Sequence, residues 1–281
     1  MNSDQSATQK LKRLITSGPV VMGILNVTPD SFSDGGLHND KKTAVQRARR
    51  MMEQGAHIID IGGESTRPGA QTVSVEEEIR RTVPVIEALK DGGALLSIDT
   101  RNARTMRAAL DAGAHIINDV TALTHDPRSM DVAISADVPV CLMHMKGTPQ
   151  TMQAAPEYEN VVDEVKNYLL GRAAEGMKSG IKKENIILDP GIGFGKTPAH
   201  NIRLLQNLEA FTKTGFPVLL GASRKSFIEK ICADGSSADQ RVGGSIAAVI
   251  RGAEAGVKIF RVHDVRETVQ ALKIWSAIQS T

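Results

Sequence analysis

The sequence has few cysteines and no long apolar run, and each absence excludes a class of protein. Only Cys141 and Cys232 are present among 281 residues. Two cysteines cannot build a disulfide framework, so a reducing, cytoplasmic compartment is expected, with both thiols serving as small buried hydrophobic groups. No apolar run approaches the ~18 residues that a membrane span requires, and residues 1–17 lack the apolar core of a signal peptide.

The charge is nearly balanced, which argues against a nucleic-acid-binding surface. The formal net charge is +2 and the sequence pI is about 8.5. Nucleic-acid-binding proteins usually cluster basic residues on one face, and no such cluster stands out along this chain. The mild positive charge remains compatible with small anionic substrates.

Eight apolar runs, each ending on a polar side chain, predict eight buried parallel strands. They lie at 20–26, 57–60, 95–99, 115–119, 138–144, 186–189, 217–223 and 257–263. Segments of helical character separate them, and parallel strands need such crossovers. The pattern therefore predicts an α/β fold, a (β/α)8 TIM barrel of eight parallel strands with outer helices.

The predicted organisation is a flexible, polar N-terminal arm at residues 1–17, followed by one barrel domain at 18–281. Helices are predicted at 41–54, 74–90, 101–112, 127–136, 157–179, 198–213, 239–255 and 265–279, and an additional one near 226–233. Glycines after most of these segments are the expected stop signals. The connections at 27–39 and 61–73 are long for a barrel, which is typical of mobile binding loops.

The carboxyl ends of barrel strands meet at one mouth, where barrel enzymes place their functional groups. Here that mouth would carry Asn26, Asp60, Asp99, Asn118, Asp119, His144, Asp189, Ser223, Arg261 and His263. For any one of them, capping of the following helix is an equal alternative. Asp60 is the strongest candidate for a purely structural acid, holding the glycines that follow it, and His57 and His115, at strand starts, are predicted to be structural.

Asp189 ends an apolar strand and is followed by the glycine-rich segment 191–197. A phosphate-binding loop would need glycine and a backbone N–H where Pro190 stands, so this interpretation is disfavoured. The glycines instead favour close passage of the chain past a flat ligand, with Phe194 either stacking on it or anchoring the loop.

Several cationic and hydroxyl groups suit the binding of a dianion. Ser65, Thr66 and Arg67 lie on one predicted loop, where they can form charge-assisted hydrogen bonds. Arg261 and His263 are two residues apart and point to the same side of the last strand. Lys225 lies just beyond a strand end, where it can donate to an oxygen.

Seven motifs together resemble the dihydropteroate synthases, pterin-binding barrel enzymes of folate biosynthesis. They are G-I-L-N-V-T-P-D-S-F-S-D-G-G at 23–36, G-G-E-S-T-R-P-G at 62–69, N-D at 118–119, C-L-M-H-M at 141–145, L-D-P-G-I-G-F-G-K at 188–196, S-R-K at 223–225 and R-V-H-D at 261–264. The resemblance spans about residues 20–270. It implies condensation of 6-hydroxymethyl-7,8-dihydropterin diphosphate with p-aminobenzoate, releasing diphosphate and forming 7,8-dihydropteroate.

The resemblance also implies roles for individual residues. Asp189, Asp99, Asn118 and Lys225 would recognise the pterin, Arg261 would stack on its face, and Met143 and Phe194 would line it. The diphosphate would be bound by His263, Ser65, Thr66, Arg67 and Asn26, with Asn26 as a ligand of Mg²⁺. The p-aminobenzoate contacts would be Phe32, Thr66, Pro68 and Ser226. Asp189, Lys225, Arg67, Arg261 and His263 would carry the catalysis.

Three further expectations follow from the resemblance: dissociative substitution without an enzyme nucleophile, a homodimer, and competition by sulfonamides for the p-aminobenzoate site. The long loops would close over the site before chemistry. Two alternatives stay open. A pterin-binding module that presents methyltetrahydrofolate to a corrinoid protein shares the barrel, but it would leave Thr66, Arg67, Arg261 and His263 unexplained. A non-catalytic barrel is the other.

Overall fold

The structure is a computed structural model that describes residues 6–28, 36–64, 72–147, 152 and 156–280, with backbone alone at 36–40. Its eight strands are β1 (Val20–Asn26), β2 (Ile58–Gly62), β3 (Leu95–Asp99), β4 (Ile116–Asp119), β5 (Val140–Met143), β6 (Ile186–Asp189), β7 (Leu219–Leu220) and β8 (Ile259–Val262). All eight predicted strands are present, several shorter than predicted because the hydrogen-bonded ladder covers only part of each apolar run.

The strands form one parallel sheet in the order β6-β5-β4-β3-β2-β1-β8-β7. A parallel bridge between Leu188 and Val218 joins the two ends of this sheet and closes it. The fold is therefore the predicted (β/α)8 TIM barrel.

The helices cover the outside of the barrel. They are α1 (Ala7–Ser17), α2 (Gly36–Glu53), α3 (Val75–Leu89), α4 (Ala103–Asp111), α5 (Ser129–Ala136), α6 (Val161–Ser179), α7 (Pro198–Gln206), α8 (Glu209–Thr212), α9 (Ser226–Cys232), α10 (Val242–Glu254) and α11 (Val265–Gln279). The additional helix predicted near residue 226 is α9. Among the described residues, none of the helices combines the length and hydrophobicity of a membrane span.

Alternation along the strands separates an interior from an exterior core. Inside the barrel, buried side chains from every strand pack in layers: Val20, Met22, Ile58, Leu95, Ile116, Cys141, Ile187, Leu219 and Ile259. Their sequence neighbours point outward and pack under the helices, as Val21, Ile59 and Leu96 do. Because side chains alternate with a period of two, the residues that continue the inward series must reach the mouth.

The predicted flexible arm is wrong for residues 7–17, which form α1. Ser6 caps this helix by accepting a hydrogen bond from the Gln9 N–H at 3.2 Å. Leu11 is 3% exposed and joins the interior core, with Leu14 and Ile15 beside it. These spacings of three and four residues form one apolar face, and the helix closes the amino-terminal end of the barrel.

Three other predictions need correction. Helix α2 begins at Gly36, inside the predicted 27–39 loop. The single helix predicted at 198–213 is divided into α7 and α8, because Asn207 leaves the helical conformation with φ −116° and ψ 30°. Cys141 is buried as predicted, but Cys232, at the end of α9, is exposed.

The two histidines at strand starts are structural, as predicted. His57 Nδ1 accepts a hydrogen bond from the Val21 N–H at 3.1 Å, and His115 Nδ1 accepts from the Leu96 N–H at 3.1 Å. Burial lowers the pKa of both imidazoles, which favours the neutral, accepting form. Each therefore links neighbouring strands at the end of the barrel opposite the mouth.

Candidate active site

The inward alternation places most of the predicted site residues at one mouth. The positions that continue the interior series toward the carboxyl ends of the strands are Asn26, Asp60, Gly62, Asp99, Asn118, Met143, Asp189, Gly221, Arg261 and His263. Layers of isoleucine, leucine and valine fill the barrel beneath them. The mouth is therefore a polar floor on an apolar core, as in barrel enzymes generally.

Arg261 connects three strands across this floor. Its Nε donates to Asp60 Oδ2 at 2.6 Å and its Nη2 donates to Asp99 Oδ2 at 2.6 Å. Burial lowers the pKa of the guanidinium, but Asp60 and Asp99 outweigh that effect and raise it. Asn118 Nδ2 donates to the same Asp60 oxygen at 3.1 Å. The carboxylate of Asp60 thus binds Arg261 and Asn118, rather than the glycines that follow it.

Asp189 lies 5% exposed at the end of β6. Burial raises the pKa of its carboxyl to about 6, although the Gly191 N–H, Lys225, Arg261 and Lys196 all oppose the rise. Gly221 leaves space beside it, since a Cβ there would lie 3.9 Å from both Asp189 Oδ2 and Arg261 Cβ. The carboxylate is therefore a buried acceptor that no side chain at position 221 covers.

The N–H groups of the glycine-rich loop are used inside the protein. The Gly191 N–H donates to Asp189 Oδ1 at 2.7 Å, the Gly193 N–H to Asn201 Oδ1 at 2.8 Å and the Phe194 N–H to the Gly191 carbonyl at 3.1 Å. Donors used in this way do not point at an external phosphate. The disfavoured phosphate-loop interpretation thus finds no support in these contacts.

Phe194 forms one wall of the mouth. It packs with Val120, Met143 and Met152 in a small buried cluster. Lys225 Nζ lies 3.9 Å from the centroid of its ring, a cation–π contact. Apolar and cationic groups thus meet on the side of the mouth next to Asp189, where the sequence predicted Met143, Phe194 and Lys225 together.

Asn26 is the last residue of β1, and His263 directly follows the neighbouring strand β8. His263 Nδ1 is 3.1 Å from Ser223 Oγ, and the His263 N–H donates to the same oxygen at 3.2 Å. Ser223 thereby fixes the imidazole plane, which the sequence did not indicate. Asn26 is half-buried at the end of β1.

Asn26 offers an oxygen of the kind that a hard cation prefers. A Cβ on Gly62 would lie 3.6 Å from Asp99 Oδ2 and 3.8 Å from Asn26 Oδ1, so glycine leaves a space bordered by two oxygens. Within the described ranges, no group of three or more His, Cys, Asp or Glu side chains is placed to hold a metal. A cation here would have to complete its coordination with oxygens of a bound ligand and water, which Mg²⁺ accepts readily.

Some predicted site residues lie elsewhere or outside the described ranges. Asp119 points away from the barrel interior and accepts from the Thr121 and Leu123 N–H groups at 2.7 and 3.0 Å, so it caps its own turn. Ser226 begins α9 with an exposed side chain. The remaining predicted contacts lie outside the described residues: Phe32, Ser65, Thr66, Arg67 and Pro68.

One residue of this region was not assigned a role from the sequence. Lys196 is 2% exposed, and its ammonium meets His144 and the Phe194 carbonyl behind the mouth. Burial lowers the pKa of Lys196 to about 7. A lysine after three alternate glycines gives no sequence signal of burial, because its partner His144 is 52 residues away in the chain.

Comparison with known proteins shows the family of this chain. Residues 22–263 match the sequence profile of the family described as pterin binding enzyme. The dihydropteroate synthase of Escherichia coli is 49% identical over 265 residues, which cover 94% of this chain and 93% of the relative.

Two solved structures are also similar. That of Xanthomonas albilineans dihydropteroate synthase with 4-aminobenzoic acid has a TM-score of 0.89 and 48% identity, covering 94% of each chain. That of the same organism's enzyme in complex with 7,8-dihydropteroate has a TM-score of 0.85 and 45% identity, covering 94% of this chain and 95% of its own. The resemblance seen in the motifs is thus confirmed, and the chain belongs to the pterin binding enzyme family and, within it, to the dihydropteroate synthases, which are transferases.

Proposed function

We propose that this enzyme condenses 6-hydroxymethyl-7,8-dihydropterin diphosphate with p-aminobenzoate, giving 7,8-dihydropteroate and diphosphate. The observation that carries the proposal is the buried carboxylate of Asp189 at the mouth, where the charges of Lys225 and Arg261 favour its ionised form. The relatives named above, one with 4-aminobenzoic acid and one with 7,8-dihydropteroate, support the same ligands.

The pterin ring would lie against Asp189. Its pyrimidinone edge presents an amino group beside a ring N–H, and an ionised carboxylate accepts from both at once. Asp99 and Asn118 complete the polar floor, Lys225 donates to a ring oxygen or nitrogen, and Arg261 stacks on the face. Buried groups left unpaired by a wrong ligand cost about 1 to 3 kcal/mol each, which makes the pocket selective.

The diphosphate would lie on the other side of the mouth. His263, Asn26, Ser65, Thr66 and Arg67 bind its oxygens. Mg²⁺, held by Asn26 and diphosphate oxygens, would neutralise charge on the leaving group. The fixed imidazole of His263 supports this placement, because its plane is set by Ser223 before a ligand arrives.

The chemistry is a dissociative substitution that needs no enzyme nucleophile. The carbon–oxygen bond to diphosphate breaks first, and the positive charge on the methylene spreads into the electron-rich dihydropterin. The carboxylate of Asp189 beside the ring stabilises that charge. The amine of p-aminobenzoate, held by Phe32, Thr66, Pro68 and Ser226, then forms the carbon–nitrogen bond and loses a proton to solvent. Sulfonamides compete for this second site.

The test is a turnover assay with the pterin diphosphate and p-aminobenzoate, followed by both diphosphate release and 7,8-dihydropteroate formation. Equal amounts of the two products are expected, with the rate falling when Mg²⁺ is withheld. A folded sample without turnover contradicts the proposal. Binding of methyltetrahydrofolate without diphosphate release would instead favour the corrinoid-methyltransferase module. We also propose a homodimer, which light scattering of the pure protein tests.

A further inference from the structure

Lys196 is a buried lysine that the reaction proposed above does not use. Its ammonium is surrounded by three acceptors: His144 Nδ1 at 3.0 Å, the Phe194 carbonyl at 2.9 Å and the His144 carbonyl at 3.3 Å. An ammonium group has three N–H donors. The three acceptors match them one for one and hold an ammonium beside a neutral imidazole, although burial lowers the pKa of Lys196 to about 7.

His144 is suited to its part in this arrangement. Burial, and then the charge of Lys196, lower the pKa of the imidazole to about 3. The ring is therefore neutral near pH 7, and Nδ1 can accept. The ring also lies edge-on against Tyr168, with the centroids 5.0 Å apart at an interplanar angle of 88°.

The Lys196 contacts connect β5 to the loop that carries Phe194. The backbone of this loop is already pressed against the end of β5, since a Cβ on Gly191 would lie 2.0 Å from the His144 carbonyl oxygen. The Tyr158 hydroxyl donates to the Gly195 carbonyl at 2.8 Å, which covers the loop from the other side. Both tyrosines of the chain thus belong to this cluster.

We propose that Lys196 is a positioning residue for the reaction: its ammonium fixes the loop at 191–195 on β5, so that Phe194 is in place to form the wall of the pterin pocket. This inference rests on the proposed function for the identity of the ligand. Phe194 carries the effect to the mouth, because its ring contacts Met143 and Lys225. Lys196 is also one of the three cations that favour the ionised form of Asp189.

The test combines Lys196→Met with a matched control, Lys183→Met. Lys183 precedes β6 at the opposite end of the barrel, where its Nζ lies 5.3 Å from the Phe216 ring centroid. For Lys196→Met we expect a loss of affinity for 6-hydroxymethyl-7,8-dihydropterin of about tenfold or more at pH 7, because a bond from a charged donor is lost. We also expect the pH midpoint of pterin binding to rise, because loss of the Lys196 charge raises the pKa of Asp189. Lys183→Met should leave both unchanged.

A second pair of variants keeps the test decisive should Lys196→Met fail to fold. His144→Asn retains an acceptor close to the position of Nδ1 and should bind the pterin nearly as the original chain does. His144→Leu removes that acceptor and should weaken binding. Equal affinity for the two His144 variants overturns the proposal.

Amide hydrogen exchange provides a readout that needs no ligand. The N–H groups of residues 191–196 should exchange faster in Lys196→Met and in His144→Leu than in the unaltered protein. Unchanged exchange overturns the positioning role. If the unaltered protein binds no pterin, the proposed function is contradicted. If the unaltered protein binds pterin and the variants bind it equally well, only the positioning role of Lys196 is contradicted.

Discussion

The Nε of Arg261 donates across 2.6 Å to the carboxylate of Asp60, which is 0% exposed. The pair joins β8 to β2 beneath the mouth, and Asn118 adds a second donor to the same oxygen. Without Asp60, Arg261 would keep Asp99 as its carboxylate partner, but its Nε and the Asn118 amide would lose their buried acceptor. Asp60 is therefore central to the stability of the site as well as to its shape.

Asp60→Ala is expected to lower the free energy of unfolding by about 1 to 3 kcal/mol, the usual cost of leaving buried donors without an acceptor. Urea unfolding at pH 7 measures this. The matched control is Glu76→Ala, which removes the exposed partner of Arg104 and should leave the unfolding midpoint unchanged. Equal midpoints for Asp60→Ala and the unaltered protein would refute the structural role of the pair.

Pterin binding should depend on pH through Asp189. Its pKa in the folded protein is raised to about 6. Below that pH the carboxyl is protonated and can no longer accept from two N–H groups at once. We expect affinity for 6-hydroxymethyl-7,8-dihydropterin to fall toward tenfold per pH unit well below pH 6.

Calorimetric titration from pH 4.5 to 8, with Asp189→Asn in parallel, tests this prediction. The variant cannot titrate at this position, so its weaker binding should vary much less over that range. The same pH profile for both proteins would assign the titration to another group.

Position 191 accepts only glycine, for two reasons. Its φ is +68°, and a Cβ would lie 2.0 Å from the backbone oxygen of His144. Gly191→Ala should destabilise the protein by more than about 1 kcal/mol and abolish turnover, because the loop must leave β5. Gly171, inside α6, has nothing within 4 Å of its Cβ position. Gly171→Ala should raise stability by about 0.5 to 1 kcal/mol. The midpoint of thermal unfolding should therefore fall in Gly191→Ala and rise in Gly171→Ala.

Arg224 and Asp264 hold the turn that carries Lys225 next to the end of β8. Arg224 has φ +58°, and its Nε and Nη2 donate to the two Asp264 oxygens at 2.9 and 2.5 Å. Arg224→Ala and Asp264→Asn should each lower kcat/KM by about tenfold, because Lys225 and His263 flank the pair in sequence. The double variant should lose little more. Additive losses would show that the two residues act separately.

Much of the fold was predictable because apolar runs and glycine stops are local signals. All eight strands and the additional helix α9 were found in this way. The sequence does not predict helix α1, because the polar residues of this segment outweigh the face formed by Leu11, Leu14 and Ile15. It does not predict the break at Asn207 either, because no glycine or proline marks it.

The site residues were predictable where the two-residue alternation of side chains along a strand determines which of them face inward. Asp99, Asn118, Asp189 and Arg261 each continue an inward series, whereas Asp119 is out of phase and caps a turn. This alternation cannot identify contacts between side chains that are far apart in the sequence. The contacts of Arg261 with Asp60 and of Lys196 with His144 depend on packing, so only the three-dimensional structure reveals them.

The measurement that tests the central claim most directly is calorimetric titration of Asp189→Asn with 6-hydroxymethyl-7,8-dihydropterin and, separately, with diphosphate and Mg²⁺. In the proposed complex, Asp189 lies against the pterin ring, and the diphosphate lies with Asn26 and His263. Pterin affinity should therefore fall by about tenfold or more, whereas diphosphate affinity should stay within about twofold. Equal losses for the two ligands would contradict the assignment of the pocket.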